Sequence, residues 1–331
     1  MKLESKYKLY LNKSQKIKLI NFFQIVNSTY VNLIKNKNIL ESIYLDKYII
    51  KCLKTDVNKS KYNINSKYIK EKNTCMLPKS FIKVYTNKIY IKNIGYIKIK
   101  PRINFKNYYI CRIVKSKTNK YFISFVIDKN NIYLGKTNKV IGIDMGIDSF
   151  CVFSNGAKIK NPKYYNELEF KIKYLQKIRS KKIYMSNNYK KITVKINNIY
   201  EKIKNKEYNF IHNLSKNIIL NYDIICIENL DINNLMTNSK IKKSINYACW
   251  RKFIDMLKYK SKLYNKTVVE IDKYYPSTKM CSYCGYRNPV DSLSIREYIC
   301  EKCNNVLDRD VNAARNILFQ GLKKINKKIR N

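Results

Sequence analysis

The sequence predicts a multi-domain α/β protein: a helical module, a small β-module, and then an α/β domain with a four-cysteine zinc site near the C-terminus. Three observations predict it. Short alternating apolar segments cluster between residues 81 and 134, and apolar residues at helical spacing precede them. Near the C-terminus, two Cys-x-x-Cys pairs stand between apolar stretches that each hold an acid. At 331 residues, two or three modules are expected, one with a sizeable core.

From residue 14 to residue 50, Ile17, Ile20, Phe23, Tyr30 and Ile34 follow a helical period, with Ser14 as the expected N-cap. Two or three helices are expected there. The pattern then changes to Lys88-Ile-Tyr-Ile-Lys92, Tyr96-Ile-Lys-Ile-Lys100 and Tyr121-Phe-Ile-Ser-Phe-Val-Ile127, broken by Asn, Gly and Pro. This reads as a small antiparallel module, a barrel being one form of it. Gly135-Lys-Thr-Asn138 reads as the linker out of it.

Further on, Leu168, Ile172 and Leu175 form one helical ladder and Ile192, Ile196, Ile199 and Ile203 another, both flanked by lysines. An antiparallel helical hairpin is expected, either presenting charge to nucleic acid or simply solvated. His212 is the only histidine, and a packing or hydrogen-bonding role is expected of it. Trp250 is expected to anchor the core.

Charge narrows the partner. The chain has 68 Lys and Arg against 23 Asp and Glu, a net charge of +45, which calls for a polyanion. Codon bias could enrich Lys, Asn, Ile and Tyr together, but it would supply Glu too. Only nine of the basic residues are Arg, so binding should be directed at phosphates and sensitive to salt. Tyrosines interleave with lysines at Tyr7 to Tyr10, Tyr108-Tyr109 and Tyr274-Tyr275, where some could stack on bases while most serve strands and core. No apolar run approaches eighteen residues and no signal-like leader is present, so a soluble, cytoplasmic protein without membrane contact is expected.

Cys281, Cys284, Cys300 and Cys303 are expected to hold zinc: each Cys-x-x-Cys turn puts two sulfurs on one ion, and fifteen residues separate the pairs. Two disulfides are the alternative. Gly285, and Asn304 with Asn305, follow the pairs where the knuckle turns need positive φ. The other six cysteines, Cys52, Cys75, Cys111, Cys151, Cys226 and Cys249, lack pairing spacing and read as buried thiols.

Asp144 lies in the apolar strand Val140-Ile-Gly-Ile-Asp-Met-Gly146, and Glu228 ends Tyr222-Asp-Ile-Ile-Cys-Ile-Glu228. A carboxylate in such a strand is costly unless it is paired or binds a cation, although an Asp at a strand end can merely cap a turn. Gly142 and Gly146 would leave room for a close-approaching ligand. Asp310 opens a helical stretch with Ala313, Ala314, Ile317 and Leu318 as its packing face. Three converging carboxylates could hold two hard divalent ions, Mg2+ or Mn2+, and hydrolyse a phosphodiester. Asp148, Asp223, Asp231 and Asp308 read as caps, turns or solvated charges.

Together these segments resemble the TnpB family, the insertion-sequence-encoded relatives of type V CRISPR effectors. The likeness lies in Gly142-Ile-Asp-Met-Gly146, Ile227-Glu-Asn-Leu230, Pro276-Ser-Thr-Lys-Met-Cys-Ser-Tyr-Cys-Gly285 and Asp308-Arg-Asp-Val-Asn-Ala-Ala-Arg-Asn316, with the opening Tyr7 to Gln15. Asn304 departs from the Gly usual in the family. The resemblance implies an RNase H-like (RuvC) nuclease domain at residues 138–275 and 305–331, with the zinc ribbon at 276–304. It further implies a β-barrel wedge at 1–13 and 80–137, interrupted by a helical recognition module at 14–79. On that footing Asp144, Glu228 and Asp310 are the catalytic, Mg2+- or Mn2+-binding acids of an RNA-guided DNA endonuclease. Its partners would be a guide RNA from the element's end, double-stranded target DNA and the displaced single strand, with sequence read by base pairing beside a short motif. Strand transfer by the same acids, or a cleavage-silent regulator on the same fold, are the alternatives.

Overall fold

The computed structural model describes residues 1–35, 45–59, 72–230, 249–289 and 296–330, with side chains up to residue 326. Asp231 lies outside them, as do residues 36–44 and 60–71 of the expected helical module and 290–295 of the expected ribbon. The chain divides into two units, Met1–Lys129 and Asn130–Asn331.

In the first unit, a seven-stranded antiparallel sheet is nearly closed. Its strands are β1 (Lys2–Tyr10), β2 (Thr74–Leu77), β3 (Ile82–Val84), β4 (Lys88–Ile91), β5 (Gly95–Lys100), β6 (Ile110–Lys115) and β7 (Tyr121–Asp128), in the order β2-β6-β7-β1-β5-β4-β3. Alternation sets its faces: Tyr7 and Leu9 of β1 are buried while Lys6 and Lys8 point outward. The inward set, including Ile89, Ile97, Ile113, Ile123 and Phe125, packs against α1 (Lys13–Ile34) and α2 (Lys47–Lys59).

Three expectations need correction here. Asn12, not Ser14, caps α1: its side chain accepts from the Gln15 amide at 2.8 Å, and Gln15 Oε1 accepts from the Asn12 amide at 3.1 Å. The buried stripe of α1 is Leu19, Phe23, Val26, Tyr30 and Ile34, which leaves Ile17 59% and Ile20 36% exposed. Thr74–Leu77 is a strand rather than part of a helical stretch, because Cys75 and Leu77 alternate inward in register with Ile113 and Cys111.

The second unit is built on a five-stranded mixed sheet, in the order β10-β9-β8-β11-β12. Its strands are β8 (Val140–Met145), β9 (Ser149–Phe153), β10 (Lys158–Lys160), β11 (Ile224–Ile227) and β12 (Thr267–Glu270). β8, β11 and β12 run parallel; β9 pairs antiparallel with β8, and β10 antiparallel with β9. The insert between β10 and β11 is the expected hairpin, α3 (Asn166–Ser180) followed by α4 (Asn187–Asn221), with Ile172, Ile196 and Ile203 buried.

One face of this sheet, through Ile141, Ile143, Ile225 and Ile227, packs on α4 and on α5 (Trp250–Leu263). Trp250 is buried there with Phe253 and Leu257, as expected of a core anchor. His212 stacks on Tyr208, with ring centroids 5.8 Å apart, and its Nδ1 has no partner among the described residues, which fits a packing role. The other face receives α6 (Arg309–Arg330). The linker Gly135 to Asn138 is tied to this unit by Asp223, whose carboxylate accepts from the Thr137 and Asn138 amides at 2.8 and 2.7 Å and from Lys266 at 2.5 Å. Those donors hold the Asp223 carboxyl well below the usual carboxylate range, with Lys266 the largest cause. No described helix is long and apolar enough to cross a membrane.

Candidate active site and metal centre

Strand periodicity decides which way the acids face. Ile141 and Ile143 point to α4 and α5, so Gly142 and Asp144 point to the opposite face, and β11 repeats the pattern with Cys226 and Glu228. Because β8 and β11 pair in parallel with Ile143 opposite Ile227, Asp144 and Glu228 follow at neighbouring positions. The helix on that face is α6, whose first turn contains Asp310.

Gly142 sets how closely α6 approaches. A Cβ there would lie 2.1 Å from the Ala314 carbonyl oxygen, and one on Gly321 would lie 2.3 Å from Cys226 Sγ. The room expected at Gly142 for a ligand is thus taken by the helix backbone, and a second contact glycine, Gly321, escaped the sequence reading. At Gly146 a Cβ would meet the Ser149 carbonyl at 2.7 Å, a constraint of the β8–β9 turn.

Burial pushes the Asp144 carboxyl well above the ordinary value; the charges of Glu228 and Asp310 push it further, and Arg309 pulls against them. Glu228 is also raised by burial, opposed by a hydrogen bond from the Ser277 hydroxyl to Glu228 Oε1. Asp310 lies 3.6 Å from Arg296 and 3.6 Å from Arg309. Arg296 also pairs with Asp148. Asp144 and Glu228, both largely buried, with the partly exposed Asp310 close enough for its charge to act on Asp144, offer hard oxygen donors that could hold divalent cations of the Mg2+ or Mn2+ type.

Asp308 serves as a cap, accepting from the Val311 amide at 3.1 Å and from Lys158 at 2.5 Å. Sequence reasoning missed Ser277, Arg296, Arg309, Asn312 and Asn316. The two asparagines carried a signal: they lie four apart among apolar helix residues, and both are buried.

The thiols converge in the ribbon. Sγ atoms of Cys281, Cys284, Cys300 and Cys303 all lie within 4.8 Å of one another, the only such group of potential ligands among the described residues. Cys281 to Cys303 is 3.8 Å and Cys284 to Cys300 is 3.5 Å. Tetrahedral sulfurs about 2.3 Å from one ion would be about 3.8 Å apart, whereas a disulfide needs about 2.05 Å. The four thiols could therefore hold a metal ion such as zinc.

Both knuckles have the expected left-handed residue, Gly285 with φ 75° and Asn304 with φ 52°. Their amides donate to the Cys281 and Cys300 carbonyls at 2.9 and 2.8 Å. Burial alone would raise the Cys300 thiol, but the knuckle amides of Cys303 and Lys302 outweigh it and bring it down to about 7. A short hairpin, β13 (Glu297–Ile299) with β14 (Val306–Asp308), flanks the second knuckle, and β14 leads into α6.

Fold and site thus define a mixed-sheet α/β domain with three acids disposed toward one sheet face and, beside it, four clustered cysteines that could hold a metal ion. Residues 124–239 match the family model described as probable transposase, and residues 250–317 match the Cas12f1-like TNB domain. A Streptomyces pristinaespiralis protein provisionally named RNA-guided DNA endonuclease is 34% identical over 210 residues, 63% of this chain and 52% of that one. The Escherichia coli K12 protein InsQ, with the same provisional name, is 25% identical over 63% of this chain and 56% of its own. TnpB-like protein MJ1635 of Methanocaldococcus jannaschii is 25% identical over 74% of this chain and 61% of its own.

Over these segments the chain is similar to proteins named TnpB-like or RNA-guided DNA endonuclease. It spans little more than half the length of the first of these relatives. The Cas12f1 chain of a Cas12f1–sgRNA–target DNA complex aligns over 96% of this chain and 99% of that one at a TM-score of 0.41 and 16% identity, a likeness too loose to carry an argument.

Proposed function

We propose that this protein is an RNA-guided DNA endonuclease whose second unit is an RNase H-like nuclease domain with an inserted zinc ribbon. One observation supports the reading: acids from a central strand, its parallel neighbour and the first turn of a helix lie toward one sheet face, where burial first, and then the charges of Glu228 and Asp310, raise the Asp144 pKa. The relatives' names supply the guided part of the reading.

Asp144, Glu228 and Asp310 would hold divalent ions, which supply an activated water and stabilise the leaving oxygen of the scissile phosphodiester. Arg296 and Arg309 beside Asp310 place two guanidinium groups at the site's edge, where a phosphate backbone would enter. Cys281, Cys284, Cys300 and Cys303 would hold a structural zinc. The lysine excess would bind guide and target through their phosphates, leaving sequence to base pairing.

The test begins with the protein expressed alongside its native flanking DNA, and with sequencing of the RNA that survives a high-salt wash. The expected result is one RNA species mapping to the element's end, which then directs Mg2+-dependent cutting of a complementary plasmid. Asp144→Ala and Asp310→Ala should reduce cutting below detection and leave RNA retention unchanged, because each removes an acid and not the basic surface. Cutting by either variant would refute the acid assignment. The probable-transposase match favours strand transfer as a second reading. Joined rather than merely cleaved DNA ends in the same assay would select it.

A further inference from the structure

Glu228 sits just beyond the last residue of β11. The described contact on that carboxylate comes from across the sheet end. Ser277, 4% exposed, donates its hydroxyl to Glu228 Oε1. Ser277 stands at the entry of the ribbon, four residues before Cys281.

Ser277 is itself held from two sides. Its carbonyl accepts from Asn316 Nδ2 at 2.8 Å, and its amide donates to the Tyr275 carbonyl at 2.8 Å. The same Asn316 Nδ2 also donates to the Met280 carbonyl at 2.6 Å, and Asn312 Nδ2 donates to that carbonyl at 2.7 Å. Asn312 Oδ1 accepts from the Ser282 amide at 2.8 Å. Between Ser277 and Met280 the chain makes a tight turn, with the Lys279 and Met280 amides donating to the Pro276 carbonyl at 3.1 and 3.2 Å. Two buried amide side chains one turn apart on α6, the helix that carries Asp310, therefore grip the segment at Ser277 and on both sides of Cys281.

This is more than the stitching of a ribbon to a helix. A pair of buried asparagines bonded to backbone would suffice for that, and would leave the Ser277 side chain free to vary. The hydroxyl instead ends on one oxygen of an acid whose other oxygen must then serve a cation. We propose that Ser277 is a positioning residue: held by Asn316, with Asn312 bracing the turn that follows, it sets the rotation of the Glu228 carboxylate and so the affinity of the carboxylate site for divalent cations. The proposal rests on the reading of Asp144, Glu228 and Asp310 as that site. It belongs to the class of outer partners that orient a ligand without touching the ion, whose loss costs about 10- to 100-fold in affinity or activity.

The experiment uses the full chain with zinc bound and no nucleic acid, and titrates it with Mn2+ followed by the electron paramagnetic resonance of the free ion. Ser277→Ala should weaken Mn2+ binding about tenfold or more, with zinc content and melting temperature unchanged. Ser277→Thr, which keeps the hydroxyl, should restore most of the affinity. Asn316→Ala should give a smaller loss in the same direction, since Ser277 would keep its bond but lose its anchor. A merely structural role would lower the melting temperature and leave Mn2+ affinity alone. Equal Mn2+ affinity in Ser277→Ala and the unaltered protein overturns the proposal. Equal affinity in Asp144→Ala and the unaltered protein overturns the acid site itself, and the proposal with it, so the two failures are told apart by which variant is silent.

Discussion

Lys260 is 2% exposed on α5, where its ammonium donates to the His212 carbonyl at 2.6 Å and to Ser215 Oγ at 2.7 Å. Burial, aided by the charge of Lys216, brings its pKa down to about 8. A lysine in the unfolded chain titrates near 10.4, so between these values the unfolded state binds more protons and stability rises with pH. From pH 8 to pH 10 the unaltered protein should therefore gain about 1–2 kcal/mol relative to Lys260→Met, measured by urea unfolding. Parallel pH profiles for the two would show that this lysine is not desolvated. Nothing in the sequence distinguishes Lys260 from dozens of solvated lysines, since only the packing of α4 on α5 removes its water. Asp144, by contrast, was legible, because an acid inside an apolar strand is anomalous wherever the strand lies.

At the level of elements, the contact of α6 with β8 sets the distance between Asp310 and Asp144. Gly142→Ala would drive a methyl to 2.1 Å from the Ala314 carbonyl, which can be relieved only by moving the helix off the strand. A loss of about 1–3 kcal/mol is expected, with cleavage falling alongside it. Gly135→Ala, where a Cβ meets nothing within 4 Å, is the control and should leave the melting temperature within a degree or two. An unchanged melting temperature for Gly142→Ala would refute the close approach. The hairpin α3–α4 and strands β4, β5 and β7 were readable from periodicity, because their apolar residues repeat at the period of the element they form. The face of α1 was read wrongly through Ile17 and Ile20: a residue's apolarity does not reveal which side of its helix meets the sheet, and isoleucines on the solvent side are ordinary.

For the whole molecule, charge is the dominant property. With +45 over 331 residues and lysine rather than arginine as its main carrier, association with nucleic acid should be driven by release of counterions. The logarithm of the RNA-binding constant should fall with the logarithm of salt concentration at a slope steeper than about −4, whatever the RNA sequence. A slope near zero, measured by filter binding between 50 and 300 mM salt, would show that the lysines do not contact phosphates. Part of the interleaved aromatic set is engaged within the protein: Lys2 lies over Tyr109 at 4.2 Å and Lys88 over Tyr96 at 4.8 Å. Tyr274, 83% exposed, stays open to solvent, whereas Tyr7 is buried and Tyr108 and Tyr275 are half-buried.

The sequence by itself singled out the four clustered cysteines, the two knuckle residues and the three candidate acids, because each is a local departure from what its surroundings would otherwise hold. Thiols at fixed spacing, asparagine where positive φ is needed and carboxylates in apolar segments are all visible one residue at a time. Only the tertiary structure decided what lies between those landmarks. That Ser277 reaches Glu228, that Asn312 and Asn316 grip the ribbon entry, and that Gly142 and Gly321 admit a helix are contacts between residues tens to more than a hundred positions apart. Such contacts depend on which faces meet, and a face is a property of two packed elements, not of either one's sequence.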